Sequence, residues 1–176
     1  VLERRLRVLH VVRQFEPSVG GLETYVAELA SRQADEFDVT VLTLDRLFGS
    51  PKKLQRFEER ERFTVRRIPF VGYRRLFLPF VSPRILRDYD IVHIHAADQL
   101  LDIIAALTML RPAKLFMTTH GLFFHTDALT AIKRVYLRTI TKASLGRCRA
   151  VFAVSGNDAT TLDRIGVGAV VLRNPI

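Results

Sequence analysis

At 176 residues, with 48% hydrophobic and 26% charged side chains, the chain has the composition of a domain able to bury a core, which excludes a disordered polypeptide. No apolar run reaches the roughly 20 residues a membrane span needs, and the single cysteine, Cys148, excludes an internal disulfide framework and suits a reducing cytosol. Lys and Arg outnumber Asp and Glu by 27 to 18, and the net charge of +9 points to an anionic partner: nucleic acid, an acidic membrane surface or a phosphorylated substrate.

In chain order, the charged residues Glu3, Arg4, Arg5 and Arg7 are not followed by a long apolar stretch with a cleavage site, so no secretory leader is expected. Leu6 to Val12 is almost continuously apolar, the pattern of a strand buried on both faces. Gly21 to Ala34 carries Leu22, Tyr25, Val26, Leu29 and Ala30 at spacings of three and four, which predicts an amphipathic helix. Phe37 to Leu44 is β-branched and alternating and reads as a second strand. A charged segment, Lys52 to Arg62, leads into a strand over Phe63 to Ile68. Strands are further predicted at Asp90–His95, Ala113–Thr119, Ala150–Val154 and Ala169–Leu172, with helices at about Gln99–Leu110, Ala128–Leu145 and Asn157–Ile165. Strands alternating with helices predict an α/β fold: a doubly wound, mostly parallel sheet flanked by helices. The last residues, Arg173-Asn174-Pro175-Ile176, follow a strand directly and read as the start of a linker after a domain spanning 1–172.

Three features carry candidate chemistry. The first is the pair Gly20-Gly21 in EPSVGGLETYVAELA. In a doubly wound sheet ligands sit beyond the carboxyl ends of the strands, and the loop Arg13 to Gly20 delivers the chain there to a helix N-terminus, with unpaired N–H groups and a partial positive charge. The pair suits either a phosphate cradle or the plain start of a helix. The spacing fits neither a G-x-G-x-x-G fingerprint nor a phosphate loop ending in Gly-Lys-Ser/Thr.

The second feature is histidine. His93 and His95 share one face of a strand near its carboxyl end, His120 ends the next strand in TTHG, and His125 follows. Neither H-E-x-x-H nor a Cys/His spacing accompanies them, so no metal is expected. His10 reads as a satisfied core residue and His93 fits the same description. His120, before a glycine at a strand end, could bond a sugar hydroxyl or stabilise developing charge.

The third feature is PFVGYRRLFLPF, Pro69 to Phe80. Phe70, Tyr73, Phe77 and Phe80 accompany Arg66, Arg67, Arg74 and Arg75. This composition suits an anionic bilayer boundary, base stacking with phosphate pairing, or a packed hydrophobic loop whose arginines reach outward. Lys133, Arg134, Arg138 and Lys142 also fall at helical spacing, the usual pattern of a solvated helix face.

VLHVV, the Pro17 loop with Gly20-Gly21-Leu22-Glu23, DIVHIH, TTHG, AVFAVS and VVLRNPI occur in this order along the whole chain. Together they resemble the N-terminal, Rossmann-like lobe of the retaining GT-B-fold glycosyltransferases of family 4. The resemblance implies that Gly20 and Gly21 lie against the donor diphosphate and sugar, with Ser155 shaping the same donor cleft. His120 would face the transferred sugar, and Arg13, Glu23, His95 and Asp98 would line the acceptor pocket. It further implies a nucleotide-diphosphate-sugar as substrate, no cofactor, and no metal. The family's second lobe, with the nucleotide site and a pair of glutamates, is not among these residues, so the chain is expected to be half an enzyme and inactive alone. An acceptor on a lipid-linked or polysaccharide intermediate of the bacterial envelope, and a peripheral site at the cytoplasmic face of the plasma membrane through Arg74, Arg75 and Phe77, agree with the charge. Nucleic acid is not an expected partner. The rivals are a free-standing nucleotide- or nucleic-acid-binding module and an NAD-dependent epimerase. No nucleic-acid motif supports the first, and the second lacks both the glycine fingerprint and a Tyr-x-x-x-Lys pair.

Overall fold

The computed structural model describes residues 4–74, 76–110, 112–121 and 135–172. The apolar runs become strands and the three-four spacings become helices. The elements are β1 (Arg7–Val11), α1 (Gly21–Gln33), β2 (Asp38–Leu44), β3 (Phe57–Glu59), β4 (Thr64–Ile68), β5 (Phe70–Tyr73) and β6 (Leu76–Pro79). A 3-10 turn (Pro83–Asp88) then precedes β7 (Ile91–His95), α2 (Gln99–Leu107) and β8 (Lys114–Thr118). A π-helical turn at Leu137–Thr141 runs into α3 (Lys142–Leu145), followed by β9 (Ala150–Ala153), α4 (Gly156–Asp163) and β10 (Val170–Val171). The amino-terminal part of the helix predicted from Ala128, with His125, Lys133, Arg134, Arg75 and the linker 173–176, lies outside the described residues.

Eight strands form one sheet in the order β10-β9-β8-β7-β1-β2-β4-β3. All neighbours are parallel except β3 and β4. The chain builds outward from β1 through β2 to β4, then returns to the other flank of β1 and builds through β7, β8 and β9. The order therefore reverses between β1 and β7, and open α/β sheets hold their ligands in the crevice beyond the carboxyl ends of strands at such a point.

Alternation within each strand divides the core between two faces. Val8, Val12, Val39, Val41 and Val65 pack with Phe15 and with Val26 and Ala30 of α1. Leu9, Val11, Leu42, Val92 and Ile94 face the other side, where Leu100, Leu101, Ile104 and Ala105 of α2 cover them. Both faces are buried, so the strands read as near-continuous apolar runs.

The hairpin β5–β6 is a separate two-stranded sheet. Its pleat splits the aromatic stretch. Phe70 and Phe77 point inward, each 3% exposed, and meet Phe48 edge-on. Val71, Tyr73, Leu76 and Leu78 point outward, each at least half exposed, beside the exposed Arg74. Phe77 was expected at a membrane surface and is instead part of the core, and Arg67 is likewise buried at 2% exposure. The outward ridge is made by the alternate residues.

Candidate functional site

The first wall of the crevice is the loop leaving β1. α1 begins directly after Gly20, which has extended backbone and provides no side-chain cap. Thr24 N–H bonds the Gly20 carbonyl at 3.0 Å, so the amides of the first turn ahead of it face outward. Glu23 stands in that turn, its Oε1 accepting from Ser18 Oγ at 2.9 Å. A Cβ on Gly20 would come 2.5 Å from Glu23 Oε2, whereas one on Gly21 would meet nothing within 4 Å. A side chain at Gly20 would thus displace the Glu23 carboxylate, and Gly21 borders open space.

The second wall comes from β7. His95 ends the strand, Ala96 follows with φ of 79°, and Asp98 caps α2 by accepting from Leu100 N–H at 2.9 Å. A left-handed alanine costs about 1–2 kcal/mol relative to the ordinary backbone, and here it turns the chain sharply at the crevice. The second oxygen of Asp98, Oδ2, is buried without a hydrogen-bond partner. Burial is the largest influence on this carboxyl and pushes it up to about 7, against the lowering effect of Arg13 beside it. Asp98 and His95, expected at an acceptor pocket, are only 6% and 1% exposed here. They shape the wall from behind. Arg13 and Glu23 are half-buried and keep accessible surface there.

The floor is the end of β8. His120 follows Thr119, and Gly121 at φ of 88° turns the chain away. Asp158 of α4, 4% exposed, ties this end down by accepting from Thr119 Oγ1 at 2.7 Å and from Gly121 N–H at 3.4 Å. Ser155, expected at the donor cleft, uses its Oγ to cap α4, accepting from Asp158 N–H at 3.1 Å. The Ser155-Gly-Asn-Asp158 spacing has the form of a capping motif, a signal in the sequence that would have drawn attention to Asp158.

The histidines meet on the α1 face of the sheet. Gln33 Oε1 lies 2.8 Å from His10 Nε2, His10 Nδ1 lies 3.0 Å from His95 Nε2, and His95 Nδ1 lies 3.3 Å from His120 Nε2. Tyr25 of α1 stands edge-on to His120, with centroids 4.8 Å apart. His93 bonds Thr118 Oγ1 at 2.7 Å. Burial drives all four imidazoles toward the neutral form: His10 and His120 fall to about 4, His93 to about 3, and His95 well below its ordinary value. Nitrogens of His10, His93 and His95 lie within 4.8 Å of one another, close enough to ligate one ion, but each ring already has a hydrogen-bond partner. Gln33 and Tyr25 were not singled out from sequence, since helical periodicity marks them only as one face of α1.

A parallel sheet covered on both faces, with an open helix N-terminus and a histidine-ended strand at its reversal point, is one lobe of a GT-B fold. The chain belongs to Glycosyltransferase Family 4, whose family profile matches residues 19–176. It is 37% identical over 174 residues to a GDP-mannose:cellobiosyl-diphosphopolyprenol alpha-mannosyltransferase of Komagataeibacter xylinus, covering 96% of this chain and 44% of that protein. The protein of the same description from Xanthomonas campestris is 35% identical over 166 residues, covering 91% of this chain and 43% of that protein. The chain therefore spans less than half the length of these relatives. Among solved structures, a sucrose-phosphate synthase from Thermosynechococcus elongatus superposes with a TM-score of 0.62 at 16% identity, covering 97% of this chain and 48% of that one. A putative UDP-N-acetylglucosamine 2-epimerase from Listeria monocytogenes gives 0.51 at 11% identity, covering 93% and 42%. At these identities the two structures speak for the fold alone.

Proposed function

We propose that this chain is the acceptor-side lobe of a retaining mannosyltransferase that uses GDP-mannose and a glycan carried on a polyprenyl diphosphate. The observation that carries the reading is His120, edge-on to Tyr25 of α1 and against His95 at the end of β7, in a family 4 chain. The likeness to the two mannosyltransferases supplies the donor and acceptor.

In this reading the amides at Gly20 and Gly21 approach the donor diphosphate, where the partial positive charge of the helix end favours an anion. The open space at Gly21 admits it. The mannosyl C1 exchanges its bond to the diphosphate oxygen for one to an acceptor hydroxyl oxygen on the same face, and the hydroxyl proton leaves with the nucleoside diphosphate. His120 bonds a hydroxyl of the transferred sugar, and Arg13 and Glu23 meet the acceptor. The nucleotide is held by a second lobe, with no resident metal in the scheme. This chain alone then binds donor weakly, because most contacts offsetting the entropy of association lie elsewhere.

The outward ridge of the β5–β6 hairpin, apolar and flanked by Arg74, rests on the anionic cytoplasmic leaflet that presents the lipid-linked acceptor. Among the described residues no helix is long and apolar enough to cross a membrane, so in this scheme contact is peripheral.

The test uses the full-length protein with GDP-mannose and a cellobiosyl-diphosphopolyprenol. Mannose should appear in the lipid fraction with an α linkage. Consumption of another nucleotide sugar in place of GDP-mannose removes the donor assignment, and a β product removes retention.

A further inference from the structure

We propose that Gln33, His10 and His95 are positioning residues that lock His120 as its Nε2–H tautomer, leaving its Nδ1 bare as a hydrogen-bond acceptor. The inference rests on the reading above only in placing His120 at the sugar.

The chain of contacts begins at α1, far along the helix from its glycine end. The oxygen of Gln33 can only accept, so the nitrogen facing it, His10 Nε2, carries the proton. A neutral imidazole holds one proton, which leaves His10 Nδ1 bare. At 3.0 Å from His95 Nε2, that nitrogen accepts, and His95 is therefore protonated at Nε2. His95 Nδ1 is then bare in turn and accepts from His120 Nε2 at 3.3 Å. Each ring passes the same polarity to the next, and the choice made at one amide is delivered at the crevice.

Burial favours this neutral chain. His10 is wholly buried and His95 is 1% exposed, and a charged imidazole in either place would lack water. Among the groups facing the chain, the Asp158 carboxylate favours a protonated His120, and burial outweighs it. Tyr25 presents a ring edge to His95 and His120, and His93 bonds Thr118. The Asp158 carboxylate is engaged by Thr119 and Gly121. Among the described residues Nδ1 of His120 has no hydrogen-bond partner.

The consequence is selective. A bare Nδ1 accepts from a hydroxyl and repels the oxygens of a phosphate. His120 thus recognises the hydroxyl-bearing sugar and leaves the diphosphate to the helix end. With the opposite polarity it would donate, and a phosphate oxygen would be its natural partner.

Long-range proton–nitrogen correlation spectra of the full-length protein, labelled with 15N-histidine, read tautomers directly and need no substrate. His10, His95 and His120 should each show a bare Nδ1 and a protonated Nε2. Gln33→Leu and His10→Phe break the chain at different links, and either should cost His120 its single-tautomer pattern while the backbone amide spectrum keeps its dispersion. A protonated Nδ1 on His120 in the unaltered protein overturns the proposal, and so does a pattern unmoved by both substitutions. A stoichiometric transition metal, with His10, His93 and His95 resonances displaced together, also overturns it in favour of a metal centre. If the tautomers are as stated and no sugar is transferred, the enzymatic reading falls and the lock stands.

Discussion

Arg67, 2% exposed on β4, donates from Nη2 to the backbone carbonyl of Glu16 at 2.9 Å and so holds the loop that carries the glycine pair. Its Nη1 donates to Gln55 O and to Glu58 Oε2 at 2.9 and 2.8 Å, and Arg60 adds an ion pair to Glu16 at 2.7 Å. Arg67→Ala should destabilise the domain by about 3 kcal/mol, the cost of breaking a buried pair and orphaning its acceptors. Urea unfolding measures this. A loss under about 1 kcal/mol would mean that the pair behaves as a solvated surface contact.

Stability should rise with pH between about 4 and 6.5. The unfolded chain protonates its histidines below their ordinary 6.5, whereas folded His10 and His120 resist until about 4 and His93 until about 3, and burial holds His95 well below its ordinary value. In that window the unfolded state binds more protons, and each such histidine raises the folding constant by about tenfold per pH unit. Asp98 works the other way, because its folded value of about 7 lies above the ordinary 3.8 and stability is lost as pH rises between them. Four histidines outweigh one carboxylate. Urea midpoints at pH 5 and pH 7 decide the sign.

The two glycines should respond differently. Gly21→Ala meets nothing within 4 Å and lies in the first turn of α1, so folding should be unchanged or slightly improved while donor use falls. Gly20→Ala meets Glu23 Oε2 at 2.5 Å and should disturb the Ser18–Glu23 contact as well. Melting temperature beside KM for the donor separates the two effects. A Gly21→Ala protein with ordinary KM would place the diphosphate elsewhere.

His120→Ala should lower kcat by about 100-fold or more, the scale of removing one polar group from a transition state, with the melting temperature little changed. Steady-state transfer assays check this. An unchanged kcat would remove His120 from the chemistry.

Leu76→Asp with Leu78→Asp should release the protein from anionic vesicles without unfolding it, because both side chains are more than half exposed. Vesicle sedimentation is the measurement. Binding that survives both changes assigns the membrane contact to another face.

The sheet and its flanking helices were legible because strands buried on both faces and amphipathic helices write strong periodicities. β3 was not, since Phe57–Glu59 is a three-residue edge strand inside a charged segment, where charges guard an exposed edge. The hairpin hid behind Gly72, Pro79 and its arginines, although the alternation Leu76 out, Phe77 in, Leu78 out was present to be read. His120 and the glycine pair stood out because strand ends and helix starts mark a crevice in advance. The roles of His95 and Asp98 did not. Alternation says which face a side chain takes but not what else arrives there, and Gln33 reaches His10 only through the packing of α1 on the sheet.

The pleat of the β5–β6 hairpin makes one short ribbon serve as both anchor and outer blade. Phe70 and Phe77 clamp it to Phe48, and Arg46 stacks over the Phe70 ring at 4.2 Å, so its outer residues ride on a fixed mount. The outer positions can then drift from apolar to polar, retuning what the blade touches, without loosening the mount. A slip of one residue in the pairing would exchange the two sets at once. The ribbon is therefore free to evolve by substitution and closed to evolution by single insertions.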